Sequence, residues 1–96
     1  MARASLEFHD KQRFPDGSTV EMTIWSVPRP VQGSRHRVKS SLFYGIPGER
    51  RVGYDNERGK GDHRHIEGRE EAYAFVSVER LIEDFLADVC RLRGES

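Results

Sequence analysis

The apolar residues of this chain change period once, and that change constrains the architecture more than any other feature. From Leu6 to Asn56 they tend to recur at every second position, which sends side chains to alternate faces of a strand. From Val78 to Leu92 they recur at every third or fourth, the spacing of one face of a helix. Strands followed by a single helix read as an α+β domain. The expected form is an antiparallel sheet of four to five strands packed against one C-terminal amphipathic helix. The sheet is assigned to residues 4–56, a His-rich loop to 57–66 and the helix to 77–93, all within one domain spanning 1–96.

Turn chemistry punctuates the strands. Leu6 and Phe8 alternate with Glu7 and His9 before Phe14-Pro15-Asp16-Gly17, where proline fixes φ and Asp-Gly tolerates the positive φ of a tight reversal. The next strand sets Val20, Met22 and Ile24 against Glu21, Thr23 and Trp25, and it ends at Pro28 and Pro30 because proline cannot donate to a ladder. A third strand is expected over 37–46, with Val38, Ser40, Leu42 and Tyr44 on one face. Pro47-Gly48 suits a type II turn, and 51–56 returns antiparallel. The run from Tyr73 to Val76 reads as a fifth strand or as an extended approach to the helix.

The helical stripe comprises Val78, Leu81, Ile82, Phe85, Leu86, Val89 and Leu92. Ser77 is placed to cap its start, Glu79 suits the first turn, Arg91 and Arg93 suit the last, and Gly94 stops it. A small sheet needs a lid, so this stripe is expected to be core.

At 96 residues the chain has room for one modest core and no large enclosed pocket, so an active site would lie in a groove or at a sheet edge. The single Cys90 rules out an internal disulfide framework and fits a reducing compartment; no acid or histidine is arranged to activate it, and it is expected at a buried or boundary position. No secretory signal is evident at the N-terminus, and no run approaches the ~20 apolar residues of a membrane span. The expected location is cytoplasmic. Net charge is zero, but Arg29, Arg35, Arg37, Lys39, Arg50 and Arg51 cluster in one stretch while acids dominate after residue 67. Such asymmetry fits a basic nucleic-acid face, or simply strands decorated with arginine.

The unusual stretch is Tyr54-Asp55-Asn56-Glu57-Arg58-Gly59-Lys60-Gly61-Asp62-His63-Arg64-His65. Gly59 and Gly61 bracket Lys60, giving a backbone able to approach a phosphate closely. His63 and His65 are two apart, so in an extended chain both rings point to one side and Arg64 to the other. Three readings are open. The histidines act as acid and base on a phosphodiester, imidazole being the side chain that titrates near working pH. Alternatively, they join Asp55 or Asp62 around a divalent metal, for which His-x-His alone is a weak signal. In the third reading the stretch is a solvated loop. Tyr44 and Tyr54 would stack on bases if exposed, though strand tyrosines are more often half-buried. Trp25 fills the core's edge or a partner surface, Arg35-His36-Arg37 would line a phosphate groove, and His9 and His36 read as ordinary surface residues.

Tyr54-Asp55-Asn56 followed by His63-Arg64-His65, with Phe75-Val76 leading into the helix of Phe85, resembles the TumE family. The likeness extends over nearly the whole chain, including Trp25-Ser26-Val27-Pro28 and the Tyr44 strand. Gly53 stands where many members carry arginine, and Asp62 where the cluster often begins with histidine. The resemblance implies the toxin half of a prokaryotic toxin–antitoxin pair. Its partner would be a cognate antitoxin, contacted through Trp25 and the acidic end of the helix, and a homodimer is compatible with it. Together with the basic stretch it points to RNA and to a small metal-independent ribonuclease needing no cofactor. His63, His65 and Asp55 would be catalytic, and Lys60, Arg64, Arg58, Tyr54 and Asn56 would contact substrate. The alternative is a non-catalytic RNA- or protein-binding regulatory domain.

Overall fold

A computed structural model describes residues 3–57 and 59–94. Six strands follow one another as an antiparallel meander: β1 (Ser5–Arg13), β2 (Thr19–Ser26), β3 (Val38–Ile46), β4 (Glu49–Glu57), β5 (Gly61–Ile66) and β6 (Arg69–Ala72). One helix, α1 (Val78–Arg93), lies across β3 and β4. The α+β class is as expected, and the sheet has one strand more than the upper count.

The alternation of β2 and β3 builds the core. Val20, Met22 and Ile24 meet Leu42, Tyr44, Val52 and Tyr54 on the face covered by Leu81, Phe85 and Val89. Each such side chain contributes roughly 1.5–3 kcal/mol by leaving water. Ser77 accepts a hydrogen bond from the Arg80 amide at 3.1 Å, and Gly94 closes the helix with φ 73°. The far end of α1 is tied back to the first hairpin, where the Arg93 guanidinium lies 3.7 Å over the Phe14 ring and donates to Ser18 Oγ at 3.1 Å. Leu86 and Cys90 face outward, so Leu86 is not in the core with the rest of its stripe and the cysteine is at neither the buried nor the boundary position expected of it. Among the described residues no helix is long and apolar enough to cross a membrane.

Residues 61–66, assigned to a loop from sequence, form β5, and Glu67 (φ 47°) with Gly68 (φ 84°) turns it into β6. Polar and charged side chains occupy both faces of β5, so no apolar alternation marks it as a strand. The segment 73–77 carries no strand and leads into the helix.

Candidate active site

The register of β4 and β5 divides the unusual stretch between two surfaces. Asp55 is paired with His63, Gly53 with His65, Tyr54 with Arg64, and Asn56 with Asp62. Cross-strand partners share a face and successive residues alternate. Asp55, His63 and His65 therefore share the face without a helix, while Tyr54, Asn56, Asp62 and Arg64 lie on the helix side.

On the uncovered face, His63 Nε2 lies 2.5 Å from Asp55 Oδ1, and its Nδ1 lies 3.1 Å from the Gly61 carbonyl oxygen. Both ring nitrogens thus face oxygen atoms, Nδ1 in a hydrogen bond and Nε2 in a close ion-pair contact. The His63 side chain is only 4% exposed, whereas Asp55 is 22% exposed and His65 half-buried. The two imidazole centroids are 5.1 Å apart, edge to face. Glu70, the β6 partner of His65, brings Oε1 to 3.8 Å from His63 Nε2, and Lys60 Nζ sits 3.6 Å from that same oxygen. Asp55, His63, His65 and Lys60 are thus brought to one part of the molecule.

A cation not singled out by sequence joins them. Gly45 pairs with Arg50 and Tyr44 with Val52, leaving Arg51 as an extra residue in β4. This bulge shifts the alternation by one and turns Arg50 onto the uncovered face, as bulges beside functional sites do. Its side chain then lies across Gly53, where an added Cβ would come within 2.6 Å of Arg50 Cδ. The guanidinium ends 3.8 Å from Asp55. The signal available in sequence was the bare Gly53 beside consecutive arginines, but the bulge that uses it depends on pairing. Next to Asp55 a groove of about 500 Å³ opens, walled by Val31 and Gln32 of the 27–37 loop and by Lys39 and Ser41 of β3. Lys39 Nζ lies 5.7 Å from the centroid of the Trp25 ring.

The helix-side residues do different work. Tyr54 is fully buried, donates its hydroxyl proton to Asp88, and accepts from Arg64 Nη1 at 3.1 Å. Arg64 also reaches Asp88 at 3.4 Å and Glu71 at 2.6 Å, and Arg91 pairs with Asp88 from within α1. Burial, then the bond to Asp88, pushes the Tyr54 hydroxyl up to about 12. Tyr73, raised likewise by burial, donates to Asp84 at 2.7 Å, and that bond holds the Asp84 carboxyl below its usual range. Asn56 is 3% exposed; it accepts from the Ser40 amide at 2.9 Å and donates to the Val38 carbonyl at 2.7 Å. Arg58 lies outside the described residues.

Asp62 pairs with His36 at 2.8 Å, and the His36 ring stacks on Phe75 at 3.7 Å. This clamp holds the 27–37 loop, so His36 is more than a surface decoration. Gly61 is also committed here: a Cβ on it would sit 2.6 Å from the Gly33 carbonyl oxygen, so its bareness allows the loop to approach β5.

A family model described as Toxin TumE matches residues 2–93. The chain belongs to the TumE toxin family. No curated protein and no solved structure matches it. In this TumE-family chain, the Tyr-Asp-Asn and His-Arg-His strings are paired strands, and their alternate residues serve different faces of the sheet.

Proposed function

We propose that this toxin-family protein acts on RNA as a small metal-independent ribonuclease, with Asp55, His63 and His65 as its acid–base groups. The observation that carries the reading is a buried His63, oriented by the hydrogen bond of Nδ1 to the Gly61 carbonyl and in close contact with Asp55 through Nε2, beside the more accessible His65. Two imidazoles 5.1 Å apart are spaced to serve the two oxygens of one phosphodiester, one taking a proton while the other supplies one. His65 removes the proton from a ribose 2′-hydroxyl, whose oxygen attacks phosphorus. The His63–Asp55 pair delivers the proton that the departing 5′-oxygen needs; Asp55 swings aside to expose Nε2. Arg50 and Lys60 sit where charge would develop on the phosphoryl oxygens. The groove beside Asp55, with Lys39 at its wall, receives the flanking nucleotide. Tyr54 and Arg64 support this face from beneath rather than touching substrate, whereas Asn56 lies in the groove lining. A toxin of this kind is held in check by a cognate antitoxin protein, which would cover the same open face.

The test is induction of the wild type and of a His63→Gln, His65→Gln variant in a bacterial host, with growth and total RNA followed. Purified protein is assayed in parallel on single-stranded RNA in the presence of a chelator. Growth arrest with RNA fragmentation by the wild type alone, and at least ~10²-fold slower cleavage by the folded variant, is the expected outcome. Intact RNA in cells and in the purified assay would remove the ribonuclease reading in favour of a binding domain.

A further inference from the structure

Asp55, His63 and His65 each offer a ligand atom, and those atoms all lie within 4.8 Å of one another. We propose that they form a binding site for a borderline-soft divalent cation, zinc above all, and that its occupancy switches the acid–base chemistry off. The inhibitory half rests on the ribonuclease reading; the binding half does not.

The donor set selects the ion. Two imidazoles and one carboxylate suit zinc, copper or nickel, whereas magnesium and calcium are held by oxygen ligands. The strand ladder preorganises the donors: Asp55 and His63 are cross-strand partners, and His65 is two residues along the same strand. His63 carries the support expected of a ligand, since its Nδ1 is engaged by the Gly61 carbonyl at 3.1 Å and Nε2 is left pointing at Asp55. A second interaction of this type fixes ring orientation in metal-binding histidines. A cation enters between Nε2 and the carboxylate, spreading a 2.5 Å contact to the separation of two tetrahedral ligands, and the Nε2 proton is released. Glu70 Oε1, at 3.8 Å from the same nitrogen, is a further oxygen donor within reach. Asp62, the other acid adjacent to the histidines in sequence, is on the opposite face with His36 and takes no part.

Two consequences follow from chemistry. A metal-bound imidazole has no lone pair with which to take a proton, so occupied protein cannot use His65 as a base. Arg50, 3.8 Å from Asp55, is a fixed positive charge competing for the same carboxylate, so its removal should tighten the site.

The experiment is titration of the full chain with zinc by calorimetry and by competition with a chromophoric chelator, alongside magnesium. The variants are His65→Gln, Asp55→Asn, Arg50→Gln and His9→Gln, with thermal melts confirming that each is folded. One zinc per chain is expected, at least tenfold weaker in His65→Gln and Asp55→Asn, a few-fold tighter in Arg50→Gln, and unchanged in His9→Gln, whose ring pairs with Glu21 elsewhere. Magnesium should give no uptake. Absence of stoichiometric zinc binding, or uptake indifferent to His65→Gln and Asp55→Asn in folded protein, overturns the site. Cleavage that survives chelator and falls as zinc fills the site supports inhibition; cleavage abolished by chelator and restored by zinc overturns it. One-to-one binding at these residues with no RNA cleavage leaves the cation site standing and removes the ribonuclease reading.

Discussion

On the helix side of β4 and β5, Tyr54 and Arg64 meet Asp88 under α1; on the other side of the same two strands, Asp55, His63 and His65 meet one another with no helix over them. The residues alternate in sequence, yet their surroundings differ in kind. Asp88 receives Tyr54, Arg64 and Arg91, and Asp84 receives Tyr73 and Arg80, so the covered face surrounds each acid with donors. Buried polar groups are retained only when partnered in this way. The open face instead gathers groups able to exchange protons or accept a cation beside a groove. One ladder thus keeps the two faces in fixed register, and a change on one face should be readable separately from a change on the other.

Removing the acid of the covered face is the strongest test of that separation. Asp88→Ala strips the partner from the Tyr54 hydroxyl and from one side of Arg64, and should cost about 3 kcal/mol, because buried groups lose charge-assisted hydrogen bonds. In a domain of this size that is a fall in Tm of roughly 15 °C. Thermal melts check it, and a loss below about 1 kcal/mol would show the covered network to be incidental to stability.

Alkaline pH should probe the same network more gently. The folded Tyr54 hydroxyl titrates at about 12, above the unfolded value of about 10. Its neutral form is the one the fold holds, so the contribution is complete below pH ~10 and is lost as pH rises towards ~12, amounting to just under ~3 kcal/mol. Denaturant unfolding across that window should show the loss, and Tyr54→Phe should reduce it, leaving the part that Tyr73 contributes.

The smallest change sharpens the comparison most. In Gly53→Ala the added methyl takes the space of the Arg50 side chain, which is flexible enough to move away. Stability should hold or rise by up to about 1 kcal/mol, since alanine restricts the unfolded chain. RNA cleavage should nevertheless fall about tenfold as the guanidinium leaves Asp55, the loss of ~1.4 kcal/mol of transition-state stabilisation. Parallel fall of stability and activity would show that the two faces are not separable.

The legible parts of the fold were those written in apolar periodicity and cap chemistry. Val20, Met22 and Ile24 on one side of β2, Leu42 and Tyr44 on β3, and Leu81, Phe85 and Val89 of the helical stripe lie where their spacing placed them, whereas Leu86, expected in that stripe, is exposed. Ser77 and Gly94 bound the helix as expected. Hydrophobic burial is set by a residue's own chemistry and local period, so it survives translation from sequence. The strand β5 did not, because His63, Arg64 and His65 are stabilised by cross-strand partners rather than by alternation with apolar neighbours. Asp88, a helix acid that no local pattern marks for burial, is 4% exposed, drawn in by Tyr54 and Arg64 from another part of the chain.

By itself the sequence determined the α+β class, the helix and its caps, and the pairing of His63 with His65 on one side of an extended segment. All of these depend on local periodicity and backbone stereochemistry. Only the tertiary structure decided that Asp55 rather than Asp62 faces the histidines, that Tyr54, Asn56 and Arg64 lie on the helix side, and that a bulge delivers Arg50 over Gly53. Those outcomes rest on the register between strands: a shift of one residue exchanges the two faces, and register is set by the whole sheet, not by the residues it sorts.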